Sequence, residues 1–79
     1  MNSQAYDVLV NVENLRCPMP LLKTKQALSS MKSGQIVKVF TKDSGSWRDI
    51  PAFVSLSSHT LLEKQKEQDM YTFIIKKGV

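Results

Sequence analysis

Leu15-Arg16-Cys17-Pro18-Met19-Pro20-Leu21-Leu22 is the stretch on which the fold of this chain turns. It holds the only cysteine and two of the three prolines, where a strand-like run gives way to a helical one. Prolines spaced i, i+2 would break a helix interior. A first turn tolerates them, because the first four N–H groups of a helix have no intrahelical partner. With Cys17 as N-cap, Pro18 takes N1 and Pro20 takes N3, and neither removes a bond the helix needs. The reading places a thiol at the positive end of a helix beside Arg16, an electropositive setting that favours a thiolate. The prolines withhold two amides, leaving the Met19 and Leu21 N–H groups as the nearest donors. Their part is then to hold the thiol outward on a rigid first turn.

Upstream, Tyr6–Val12 alternates, with Tyr6, Val8, Val10 and Val12 on one side and Asp7 and Asn11 on the other. Period two with β-branching predicts a half-buried strand. Residues 1–5 are expected to fray. Glu13-Asn14 makes a turn, and Asn14 accepts the left-handed conformation cheaply. Downstream, a helix is predicted from Pro18 to Ser33, stopped by Gly34. Pro20, Leu21, Thr24, Ala27, Leu28 and Met31 share its core stripe. Met19 and Leu22 fall on the outer side with Lys25 and Gln26. Two large apolar side chains exposed beside a reactive thiol point to a partner-docking patch ringed by charge.

Gln35–Thr41 reads as the second strand and Lys42–Gly45 as a loop. Ser46-Trp47-Arg48-Asp49 has the form of a capping box, yet Pro51 follows where a regular helix would miss an N–H. Either the first turn is irregular or the regular helix begins with Asp49 as its cap. Trp47, Ile50, Phe53, Val54 and Ser57 make the core stripe of this second helix. Leu56 points elsewhere and joins the exposed patch if the two helices lie side by side. His59–Lys66 and Met70–Lys76 are strands joined through Glu67-Gln68-Asp69. In the last strand Tyr71, Phe73 and Ile75 share one face, with Thr72, Ile74 and Lys76 on the other.

The order β-α-β-α-β-β with a right-handed first crossover predicts an α+β, two-layer sandwich. Its four-stranded mixed sheet has two helices on one face and the other face open. Residues 1–79 form a single domain, which buries roughly 60–65% of its unfolded surface. One cysteine makes no intramolecular disulfide and no zinc site, and a lone thiol suits a reducing compartment. No signal peptide is visible, and no apolar run approaches the ~18–20 residues of a membrane span. A cytoplasmic protein without membrane or metal follows as the expectation. The formal charge is +4, and Arg16, Lys23, Lys25, Lys32, Lys38 and Lys42 span a stretch with no acid. The charge marks a solvated helix face, or a surface that meets an acidic partner or RNA.

Self-contained chemistry finds little support. A hydrolytic cysteine needs a base and an orienting group. The only histidine, His59, opens a strand after the second helix, where a structural role at the strand end fits better. There is no phosphate loop, no HExxH and no other cofactor motif, so no cofactor is expected. What remains is thiol chemistry performed in the active sites of other proteins, a group accepted on Cys17 and handed on. A basic binding module or a regulatory protein is the alternative of another class.

Leu15-Arg16-Cys17-Pro18-Met19-Pro20 resembles the Cys-Pro-x-Pro signature of the TusA-like (SirA/TusA/YedF) sulfur carriers, most closely the TusA branch. The resemblance covers nearly the whole chain. Asp49-Ile50-Pro51-Ala52-Phe53 is similar to the family's Asp-Ile-Pro segment, followed by its histidine and a closing strand ending in a basic residue and glycine. Asn11 and Asn14 stand where the family usually has Asp and Gly, and Ser58 where Gly often precedes the histidine. The resemblance implies the same two-layer sandwich and a persulfide on Cys17. It implies a pyridoxal-phosphate cysteine desulfurase as donor and a DsrE-like complex as acceptor, towards 2-thiouridine at the tRNA wobble position. Such a chain is a sulfurtransferase in the sense of a persulfide carrier rather than an independent catalyst, and meets tRNA only indirectly. Relatives also feed molybdenum-cofactor synthesis or sulfur oxidation. Arg16, Met19, Leu22, Lys25 and Leu56 are the residues expected to dock partners, and Pro18 and Pro20 to shape the site.

Overall fold

A computed structural model describes residues 5–79. The expected fraying of residues 1–5 therefore lies, Ala5 aside, outside the described residues. The elements are β1 (Val8–Asn11), α1 (Met19–Ser30), β2 (Ile36–Thr41), α2 (Ser46–Ser55), β3 (Thr60–Glu67) and β4 (Met70–Lys76). The sheet order is β1-β2-β4-β3, with β1 parallel to β2 and the other neighbours antiparallel. Both helices cover one face, as the element order and crossover rule predicted.

The core lies between the layers. Register sets Val37 against Ile75 and Val39 against Phe73, all four fully buried beneath Leu28, Ile50 and Val54. The Trp47 ring closes one side, 5.6 Å from Tyr71 and 6.1 Å from Phe73 between centroids. Lys38 pairs with Ile74 and Phe40 with Thr72 on the opposite, helix-free face. The last strand's alternation thus falls as read from the sequence.

Element ends depart from the sequence reading for identifiable reasons. β1 begins at Val8, not Tyr6, because the Asp7 carboxylate enters the backbone pairing: Ile36 N–H donates to Asp7 Oδ2 at 2.8 Å. The Tyr6 ring lies 5.5 Å from Lys38 Nζ, so it keeps company with the helix-free face rather than with Val8 and Val10. α1 ends at Ser30, three residues before the predicted Ser33, and Met31 is already extended. Its last carbonyls are taken by side chains. Ser29 and Ser30 hydroxyls donate to Gln26 and Ala27, and Lys77 Nζ reaches across the sequence to the Leu28 carbonyl at 2.7 Å. Gly34 does have φ +92°, but in the turn into β2, where its N–H donates to the Lys77 carbonyl.

α2 runs through Pro51, and its first turn is the irregular one, with Trp47 and Arg48 N–H groups donating three residues back to Ser44 and Gly45. Gly45 is the N-cap, and Ser46 instead donates its hydroxyl to Asp43 Oδ2 at 2.9 Å, so no capping box forms. β3 starts one residue later and ends one residue later than predicted. The hairpin loop shrinks to Gln68-Asp69, with Gln68 at φ +58°. A register shift at Leu62 breaks the outer strand's pairing, a device that discourages edge-to-edge association. Asn14 does not take positive φ. Among the described residues only Gln68 and Gly34 do.

Candidate functional site

Cys17 is exposed and free. It is not the N-cap of α1 as predicted. Pro18 holds that position without a side-chain cap bond, and α1 begins at Met19 with Pro20 at its second position. The reason is a turn ahead of the helix. The Cys17–Pro18 peptide is cis, and Met19 N–H donates to the Arg16 carbonyl at 2.8 Å, closing Arg16–Met19. The amide that the sequence offered to the sulfur is thereby spent, and Leu22 N–H goes to the Pro18 carbonyl. Among the described residues, Leu21 N–H is the first-turn donor left without an acceptor. Cys17 stands at the crest of the turn, and the anchor lies beneath it. Pro20 is buried, and the Thr24 hydroxyl, fully buried, donates to the Pro20 carbonyl at 2.8 Å. Thr24 is the supporting residue that the sequence reading placed in the core stripe without giving it this task. Its signal was a polar residue one turn after a proline at an apolar position.

The predicted docking residues divide. Arg16 adjoins Cys17 and is exposed, and Met19 and Leu22 are 36% and 41% exposed on the first turn of α1. Lys25 lies one turn on, its Nζ 5.1 Å from the centre of the Phe53 ring of α2. The helices are side by side, yet Leu56 does not join the others. Both helices run back against β1 and β2, so the C-cap of α2, where Leu56 sits 90% exposed, is at the end of the helix layer away from Cys17. A ten-residue helix separates the two ends by about 15 Å.

His59 is occupied structurally. Its Nδ1 accepts the Gly78 N–H at 2.9 Å, and its ring tilts against Phe53. A Cβ on Gly78 would overlap the Ser58 carbonyl, so only glycine lets the closing segment lie there. Burial first, and then the Lys77 charge, hold the imidazole below its ordinary value of 6.5. An unfolded chain therefore binds more protons than the native one below that value. The His59 contribution is complete above about 6.5 and is lost progressively as the pH falls from there through the lower value of the folded state. Thermal midpoints measured from about pH 8 to about pH 5 should fall in the lower half of that range. His59→Ala should lower the midpoint at neutral pH, by about 0.5–1.5 kcal/mol in stability, and flatten the decline.

Arg16 also lines a cleft of about 430 Å³ with Glu13, Asn14, Lys42, Asp43 and Ser44, which the sequence reading did not assemble. Its two walls are the loops after β1 and β2, brought together only by the parallel pairing of those strands. No group of three metal-ligating side chains occurs among the described residues, and none of the described helices is long and apolar enough to cross a membrane.

Comparison with known proteins agrees with this geometry. The family model described as sulfurtransferase TusA matches residues 8–77. The chain is 39% identical to YrkI of Bacillus subtilis over 72 residues, 91% of this chain and 96% of that protein. It is 36% identical over 73 residues to the sulfur carrier protein TusA of Allochromatium vinosum, 92% and 96% of the two chains. The crystal structure of a SirA-like protein from Desulfitobacterium hafniense superposes with a TM-score of 0.79, covering 92% of this chain and all of that one at 19% identity, a likeness of fold.

Proposed function

This chain belongs to the TusA sulfurtransferase family, and on that premise we propose that it carries persulfide sulfur on Cys17 from a cysteine desulfurase to a DsrE-like acceptor. The observation that carries the reading is a single exposed thiol on a turn anchored from below, with the only histidine committed to the Gly78 amide. Such a thiol has no base of its own and an open approach for another protein's sulfur. In loading, the Cys17 thiolate attacks the terminal sulfur of the donor persulfide. The donor S–S bond breaks, the donor thiolate leaves, and Cys17 holds one additional sulfur. Unloading repeats the exchange with an acceptor thiolate, with no net oxidation.

The final destination that best fits the family is 2-thiouridine at the tRNA wobble position, with tRNA met through the acceptor. Localisation in the cytoplasm belongs to the same reading. Met19, Leu22, Arg16 and Lys25 would form the dock, without Leu56, which sits at the opposite end of the helix layer. Donor and acceptor would then exclude one another. Incubation with a desulfurase and cysteine, followed by intact mass, should show one added sulfur; its absence overturns the proposal. Proteins that co-purify with the loaded carrier separate tRNA thiolation from molybdenum-cofactor synthesis and sulfur oxidation. Leu22→Glu tests the dock. It should slow loading about tenfold without moving the thermal midpoint, as loss of one interface anchor would.

A further inference from the structure

We propose that the cleft between Glu13–Arg16 and Lys42–Ser44 binds a low-molecular-weight amino-acid thiol, one with a free carboxylate and a free ammonium, and that this thiol exchanges sulfur with Cys17. The exchange, though not the binding, rests on the persulfide reading above. Three observations lead here. The cleft lies outside the carboxyl ends of the parallel strands β1 and β2, where open α/β sheets commonly take ligands. Its volume of about 430 Å³ suits a small molecule. Its charges are of both signs and do not neutralise one another. Arg16 and Lys42 share it with Glu13 and Asp43, yet among the described residues the one ion pair is Arg48–Asp49, elsewhere.

A purely anionic ligand would gain from Arg16 and Lys42 and be repelled by the carboxylates. A zwitterion matches both. Asp43 already accepts the Ser46 hydroxyl, which fixes its carboxylate at the start of α2, while Glu13, Arg16 and Lys42 make no side-chain hydrogen bond among the described residues. Asn14 and Ser44 add polar groups on the same walls. Arg16 lines the cleft and is covalently next to Cys17, which does not line it, so the exchange takes place at the Arg16 edge of the cleft, one residue from the sulfur. The thiolate of the ligand attacks the terminal sulfur of Cys17–S–SH. The S–S bond of Cys17 breaks, Cys17 leaves as thiolate, and the ligand departs as its own persulfide. Run backwards, the same step loads Cys17 from a small persulfide.

The test compares thiols. Loaded protein, freed of excess cysteine, is treated with cysteine, cysteamine, 3-mercaptopropionate or 2-mercaptoethanol at equal thiolate concentration, and loss of the added sulfur is followed by intact mass. Cysteine should discharge Cys17 about fivefold faster than 2-mercaptoethanol, with the singly charged thiols between, as two part-exposed ion pairs would give. Glu13→Gln combined with Lys42→Gln should remove that preference and leave the 2-mercaptoethanol rate as it was. Equal rates for all four thiols overturn the proposal. So does a double variant whose preference survives. If instead the variant slows loading by the desulfurase while no thiol preference exists, the cleft serves a protein partner and the proposal falls. A separate readout needs no persulfide. S-methylcysteine should shift amide resonances of Glu13–Arg16 and Lys42–Ser44 in the unmodified protein, and no shift there removes the binding claim even if Cys17 loads normally.

Discussion

Cys17→Ser folds as the wild type does and accepts no sulfur at all. The first half follows from position. Cys17 is exposed on a turn whose closing bond runs between the Arg16 carbonyl and the Met19 N–H, neither of which the substitution touches. Exposed replacements of this kind change stability by about 0.5 kcal/mol or less. The second half follows from chemistry. A serine hydroxyl is not ionised near neutral pH and forms no bond equivalent to a persulfide, and the chain has no second cysteine to substitute. Intact mass after treatment with a desulfurase and cysteine should therefore show no increment in the variant, beside a clear one in the wild type. Equal labelling of the two proteins would mean that the sulfur resides elsewhere.

Phe73→Ala produces the largest loss of stability. Phe73 is fully buried at the centre of β4, paired in register with Val39, with the Trp47 ring against it. Truncating a buried phenylalanine costs about 3–5 kcal/mol, part transfer free energy and part unfilled cavity. A domain of this length holds about 4–12 kcal/mol in all, so the variant loses from about a quarter of it to all of it. Urea denaturation followed by Trp47 fluorescence should show the midpoint fall by at least about a quarter, or no native baseline. Sulfur acceptance should fall only in proportion to the folded fraction, which distinguishes this variant from Cys17→Ser. A Phe73→Ala midpoint within about 1 kcal/mol of wild type would contradict the packing described above.

The layers and strand faces were legible because periodicity reports burial directly. Val37, Val39, Phe73 and Ile75 alternate as buried residues must, and Leu28 and Thr24 fall on one helical stripe. Element ends were less legible, because they depend on side chains far away in sequence. Nothing near Ser30 announces that Lys77 will take the carbonyl of Leu28, and nothing near Tyr6 announces that Asp7 will accept the amide of Ile36. The thiol was found from its prolines and neighbouring arginine. Its exact seat was misplaced by one residue, since proline position alone does not reveal that Met19 N–H closes a turn before the helix begins. The cleft beside it was invisible for a different reason. Its walls are loops separated by about one βα unit, and only the parallel register of β1 and β2 sets them together.

The two prolines flanking Met19 also decide how this site can be watched. Pro18 and Pro20 carry no amide proton, so an amide spectrum is blank on both sides of Met19. Of the two amides that remain across Cys17–Pro20, Met19's is held by the Arg16 carbonyl and should exchange slowly with solvent for as long as the turn stays closed. Hydrogen exchange at that one position becomes a gauge of whether arrival of sulfur opens the turn. The exposed methyls of Met19 and Leu22 provide the complementary signal, reporting a docked partner from the outer side of the same residues.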